Sequence, residues 1–139
     1  MRLRRLLERF LDERATQLTT IASDLSVFTD ASRDLLSGGK RFRALFCYWG
    51  WHAVAGTVRS DDLMAELDHH PDLSSVIDAA AALELFHAAA LVHDDIMDNS
   101  DTRRGMPAAH RRFESDHVRR EWVGNSATYG TSAALLLGD

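Results

Sequence analysis

The sequence predicts an all-α protein, and three observations carry that prediction. Leu3, Leu6, Leu7, Phe10, Leu11, Leu18 and Ile21 recur at helical spacing along one face. From Val76 to Val92 the chain is apolar over a stretch that reads as a buried helix. Nowhere does a strand-like alternation persist, and no segment repeats another.

The elements follow in order. The first helix occupies roughly the first twenty residues. A second, short helix covers Asp30 to Leu36, and Gly38-Gly39 terminates it. Helical character resumes at Lys40 and runs through Phe42, Leu45, Phe46, Trp49 and His52 until Gly56. The acidic, aperiodic segment Thr57 to Pro71 reads as a connecting loop. Asp72 or Ser74 can cap the long central helix, which extends to Asn99. A loop around Gly105 and Pro107 follows at residues 100–108, then at least one more helix, and Trp122 to Leu137 closes the chain. The final residues, AALLLGD, read as a helix in mid-stride, so a piece of a longer domain is expected.

The 139 residues form one domain's worth of chain. With 45% apolar and 27% charged residues, its proportions are those of a globular protein. A formal charge of −5 disfavours nucleic acid as the main partner. Cys47 is the only cysteine, which excludes an internal disulfide and fits a reducing, cytoplasmic setting. No apolar run is expected to span a bilayer. The basic start is a poor signal peptide because Glu8, Asp12 and Glu13 interrupt it.

The chemistry concentrates where the central helix ends. Asp94, Asp95 and Asp98 stand at its C-terminus, where the macrodipole already places negative charge. Asp94 and Asp98 are also like charges at i,i+4 on one face, with Asp95 about 100° round. A cation would relieve both penalties. Mg²⁺ suits such a site, since it takes a few carboxylates, several waters and phosphate oxygens. The bland alternative is a solvated acidic helix end. His87 lies two turns earlier on roughly the same face and could donate to an anionic oxygen, or be a satisfied core histidine. Gly38-Gly39-Lys40-Arg41-Phe42-Arg43 sets a flexible pair before a helix start, with Lys40 and Arg43 one turn apart and Arg41 facing solvent. Arg103 and Arg104 follow the aspartates, either as anion ligands or as simple charge compensation. Together these residues describe a site for two phosphate groups, one metal-bound and one held by Lys40, Arg43 and His87.

The motifs GGKRFR, FHAAALVHDDIMDNSDTRRGMPAAH and LLLGD, in this order and spacing, resemble the trans-isoprenyl diphosphate synthases, or polyprenyl synthetases. The resemblance covers essentially the whole chain but only the first half of such an enzyme. It implies the N-terminal half of an isoprenoid-synthase-type helical bundle around a central cavity. It also implies a prenyltransferase that condenses isopentenyl diphosphate with an allylic diphosphate. Asp94, Asp95 and Asp98 then look like the aspartate-rich motif that holds the allylic diphosphate through Mg²⁺. Lys40, Arg43, His87 and Arg104 look like ligands of isopentenyl diphosphate, and Arg103 like the allylic-diphosphate arginine. The position after Pro107, commonly threonine in the family, is Ala108. A second aspartate-rich motif is absent from these residues. The expectation is therefore that the chain alone is inactive and pairs as a homodimer or with a partner synthase subunit, the alternative role being non-catalytic. Small Ala89 and Ala90 below the motif, with Phe86 a turn further as a floor, imply a product of geranylgeranyl length or longer.

Overall fold

The computed structural model describes residues 2–55 and 72–139. The expected loop at Thr57 to Pro71 lies outside the described residues. Helix α1 (Arg2–Ile21) leads through a 3-10 turn (Ser23–Leu25) to α2 (Ser26–Ser37), and α3 (Phe42–Ala55) follows the glycine pair. Helix α4 (Asp72–Met97) is the long central helix. A hairpin of β1 (Thr102–Arg103) and β2 (Met106–Pro107) leads to α5 (Ala109–Arg119) and α6 (Ser126–Gly138). The all-α expectation holds.

Helix α4 is the axis on which α1, α2, α3, α5 and α6 pack. It is apolar all round, which marks a helix to be covered on several sides. A core of Ala31, Val92, Ala109, Phe113, Ala133 and Ala134 joins α2, α4, α5 and α6. Phe28 tilts onto Phe113 with ring centroids 5.2 Å apart. This explains why α2 begins at Ser26 rather than Asp30: Val27 and Phe28 pack on that core, so its first turn is stabilised by burial. Helix α3 starts at Phe42, not Lys40, because Arg41 adopts a left-handed φ of 49°. Helix α4 begins at Asp72, which puts Ser74 inside its first turn instead of at the cap.

Helices α5 and α6 form a tight antiparallel pair. Asn125, not Trp122, opens α6, its side chain accepting from the Thr128 amide at 2.9 Å. Trp122 instead packs edge-on against His117 and Tyr129. A Cβ on Gly130 would lie 2.4 Å from the His110 carbonyl oxygen, so the two backbones meet there directly. Gly130→Ala is expected to destabilise the fold by roughly 3 kcal/mol or more, because the obstacle is backbone and not a side chain that can swing away. A melting curve unchanged from the wild type would count against this packing.

The short hairpin was not anticipated, two-residue strands being too brief to show alternation. Arg103 pairs with Met106, leaving Arg104 and Gly105 as its two-residue connection. Their φ values, 53° and 78°, are both positive, as a type I′ turn requires. One further expectation needs correction. The segment Leu73–Met97 is long and apolar enough to cross a membrane by length and composition. Within it, however, Glu84 and Asp95 are paired with Arg41 and Arg103 of other segments, as suits a bundle axis.

Candidate functional site

The last turns of α4 present their three aspartates differently. Asp94 and Asp98 are exposed, one turn apart on a common face. Asp95 is 2% exposed. Its two oxygens receive a bidentate fork from Arg103, Nε to Oδ2 at 2.7 Å and Nη2 to Oδ1 at 2.6 Å. That hydrogen bonding, reinforced by the charges of Asp95, Asp94 and Asp98 against the opposing effect of burial, raises the Arg103 pKa above its ordinary value. The sequence triad is thus an exposed carboxylate pair with a buried anchor for Arg103 beside it. Among the described residues no three acidic, histidine or cysteine side chains converge as a complete metal cage. Asp94 and Asp98 are the exposed oxygen donors here that could hold an ion such as Mg²⁺, which completes its shell with water and phosphate oxygens.

The basic residues gather at a second locus. The Arg104 guanidinium lies over the Gly38-Gly39 turn: a Cβ on Gly38 would sit 3.1 Å from its Nη1, and one on Gly39 3.3 Å from its Nη2. Gly39 also has φ 97°, a conformation that side chains resist. Lys40 and Arg43 are exposed on either side of Arg41, and the Lys40 ammonium stands 5.8 Å from the Phe42 ring centroid. Burial pushes the His87 pKa below its ordinary value; Arg43, Arg104 and Arg103 push it the same way, and Glu84 opposes them. Burial and three arginines therefore favour the neutral form of His87, which can donate one N–H.

The sign of its pH dependence follows. A histidine whose folded pKa is depressed supports the fold above its unfolded pKa, and that support is lost as pH falls through the folded value. His110 behaves alike: burial is the main cause of its lowered pKa, and neither imidazole nitrogen finds a partner among the described residues. The melting midpoint is expected to fall on acidification below the ordinary histidine range. His110→Phe should flatten the slope, and an unchanged slope in that variant would dissociate His110 from it.

Arg41 does not face solvent, as its sequence position suggested. Its Nη2 donates to the Leu36 carbonyl at 2.6 Å, and its Nη1 lies 3.7 Å from Glu84 Oε2. Glu84 was missed too, although a carboxylate inside an apolar run is a visible signal. Three further arginines serve the scaffold: Arg112 pairs with Asp34, Arg111 with Asp101 and Glu114, and Arg120 with Asp24. Ala108, buried at the N-cap of α5, leaves that helix without a side-chain cap.

Phe86 is 74% exposed and does not pack into the core. With Ala89 it lines a cavity of about 380 Å³ whose other walls include Phe10, Leu35 and Leu36. Ala90 is half-buried and not among the lining residues. Gly138 and Asp139 line it as well. A Cβ on Gly138 would come within 2.6 Å of His93 Nε2, and Asp139 Oδ1 lies 3.5 Å from the same atom.

Residues 26–139 match the family model for polyprenyl synthetase. This chain belongs to the polyprenyl synthetase family. Its sequence is 33% identical over 134 residues to nonaprenyl diphosphate synthase of Mycobacterium tuberculosis, covering 95% of this chain and 29% of that protein. It is 32% identical over 121 residues to the short chain isoprenyl diphosphate synthase of Methanocaldococcus jannaschii, covering 87% of this chain and 28% of the other. The fold superposes with a TM-score of 0.80 and 37% identity on geranylgeranyl pyrophosphate synthase from Corynebacterium glutamicum, crystallised with isoprenyl diphosphate and magnesium. That match covers 99% of this chain and 36% of the other. The polyprenyl synthetase chain thus spans about a third of these relatives' length, less than the half its motifs suggested, and its fold is the all-α isoprenoid synthase fold.

Proposed function

We propose that this chain supplies the diphosphate- and Mg²⁺-binding wall of a prenyltransferase that condenses isopentenyl diphosphate with an allylic diphosphate. The observation that carries the reading is the meeting of separate motifs: Arg104 of the hairpin seated on the Gly38-Gly39 turn, with Arg43 and Arg104 acting together on His87. Lys40, Arg43, His87 and Arg104 would hold the diphosphate of isopentenyl diphosphate. Asp94 and Asp98 would hold Mg²⁺, which when bound neutralises charge developing on a departing diphosphate. Asp95 would act through Arg103, keeping a charged donor at the rim beside that leaving group. Calorimetric titration with isopentenyl diphosphate tests the basic locus: Lys40→Ala and Arg43→Ala should each weaken binding about tenfold. Unchanged affinity in both would refute the assignment.

For product length, we propose that Phe86 sets a floor that passes farnesyl and stops the chain at geranylgeranyl or slightly beyond. The exposed ring and its cavity beside Ala89 support this reading. Residues 1–139 joined to the remaining portion of the Corynebacterium glutamicum enzyme provide the assay. Phe86→Ala in that chimera should lengthen the products resolved by chromatography. Arrest of the unsubstituted chimera at farnesyl, or an unaltered product distribution after ring removal, would exclude Phe86 from this role.

A second reading, a non-catalytic subunit or truncated remnant paired with a complete synthase, draws support from the bare apolar face of α3, where Phe46 and Trp49 are 74% and 64% exposed. Co-purification with such a synthase, with a changed product length, would favour it.

A further inference from the structure

We propose that Glu84 is a positioning residue for the diphosphate-binding rim, fixing through Arg41 where Lys40 and Arg43 stand relative to His87. This rests on the reading of that rim given above. Glu84 sits inside the apolar run of α4 and is 9% exposed, a placement that is costly for a carboxylate unless it is paired. It meets two partners. Its Oε1 accepts from the Ala44 amide at 3.4 Å, one of the first-turn N–H groups of α3 that lack an intrahelical acceptor. Its Oε2 faces Arg41 Nη1 at 3.7 Å, and Arg41 Nη2 donates to the Leu36 carbonyl in the last turn of α2. One connected network therefore spans the end of α2, the glycine turn, the start of α3 and the middle of α4.

The geometry of residues 40–43 depends on that network. Arg41 holds φ 49°, a left-handed conformation that is costly for a non-glycine residue and persists only where its surroundings impose it. With Arg41 drawn inward, its neighbours Lys40 and Arg43 are left exposed. Glu84 also lies one turn before His87 on α4, so one carboxylate is tied to both sides of the rim. Among the charges that act on His87, Glu84 opposes Arg43, Arg104 and Arg103. A well-packed apolar pair could fill the same space as the ion pair, so its use here is better explained by register than by stability.

The test uses the 139-residue chain with isopentenyl diphosphate as the calorimetric probe, alongside thermal melts. Glu84→Gln keeps an acceptor for the Ala44 amide and removes the charge that holds Arg41. It is expected to lower affinity about tenfold while the melting midpoint stays within a few degrees. Arg41→Gln should match it, and the double variant should be no weaker than either single one. Unchanged affinity in Glu84→Gln overturns the proposal, as does a loss of affinity that tracks a loss of melting stability in both single variants. Should the wild type fail to bind the probe, the diphosphate reading falls and the positioning role is decided by NMR. Displaced amide shifts at Lys40 and Arg43 with a further depressed His87 titration in a folded Glu84→Gln would sustain it. Wild-type shifts and titration would end it.

Discussion

Asp94→Ala and Asp98→Ala are each expected to lower condensation in the chimera roughly 10³-fold, the scale of losing a preorganised electrostatic contact to the leaving group. The fold should not suffer. Each substitution removes one of two like charges at i,i+4 that also oppose the macrodipole of α4, so the melting midpoint should hold or rise slightly. Asp95→Ala makes the contrast. Its carboxylate is buried and accepts both hydrogen bonds of the Arg103 fork, so its removal leaves a half-buried guanidinium unpaired. A stability loss of about 2 kcal/mol is expected there, discounted from the fully buried case because Arg103 keeps some solvent. Rates near wild type in the Asp94 or Asp98 variants would remove the pair from metal binding, and an unaffected melt in Asp95→Ala would remove the anchor.

The second large effect concerns the chain by itself. Without further helices it is expected to show no condensation of isopentenyl diphosphate with geranyl or farnesyl diphosphate above a metal-free control. The exposed pair at Asp94 and Asp98 is the acidic locus of the described site, and the matched relatives are about three times longer. Phe46 and Trp49 on α3 are 74% and 64% exposed, and Phe86 on α4 stands equally bare. Exposed apolar surface of this kind drives association, so light scattering should report dimers or larger species. A monodisperse monomer, or measurable turnover, would contradict this expectation.

Much of this was legible in the sequence, for identifiable reasons. Helix α1 follows from apolar spacing alone, and α4 from an apolar run too long for a strand. The carboxylates at the end of α4 stood out because they oppose its dipole. What escaped depends on partners distant in sequence. Nothing in the GGKRFR motif says that its middle arginine turns inward, since the acceptor that draws it is Glu84, far along the chain. Likewise nothing in the aspartate motif says that Asp95, set about 100° round the helix from Asp94, receives Arg103, a contact that the hairpin makes. The start of α2 escapes the sequence because Val27, Phe28 and Thr29 are weak helix formers on their own, and the turn is held by Phe28 on Phe113.

The seat of Arg104 on Gly38 and Gly39 has a consequence for heredity and for engineering. A turn without side chains and a guanidinium that fills their place form a lock and its key, cut from segments far apart in the gene. A side chain at residue 38 or 39 crowds the arginine, and at residue 39 it also strains a φ of 97°, while trimming the arginine leaves the bare turn unroofed. Each piece therefore constrains the other, in drift or in grafting into another scaffold. Recombination between relatives should tolerate crossovers anywhere between the two motifs only when both parents carry the same pair.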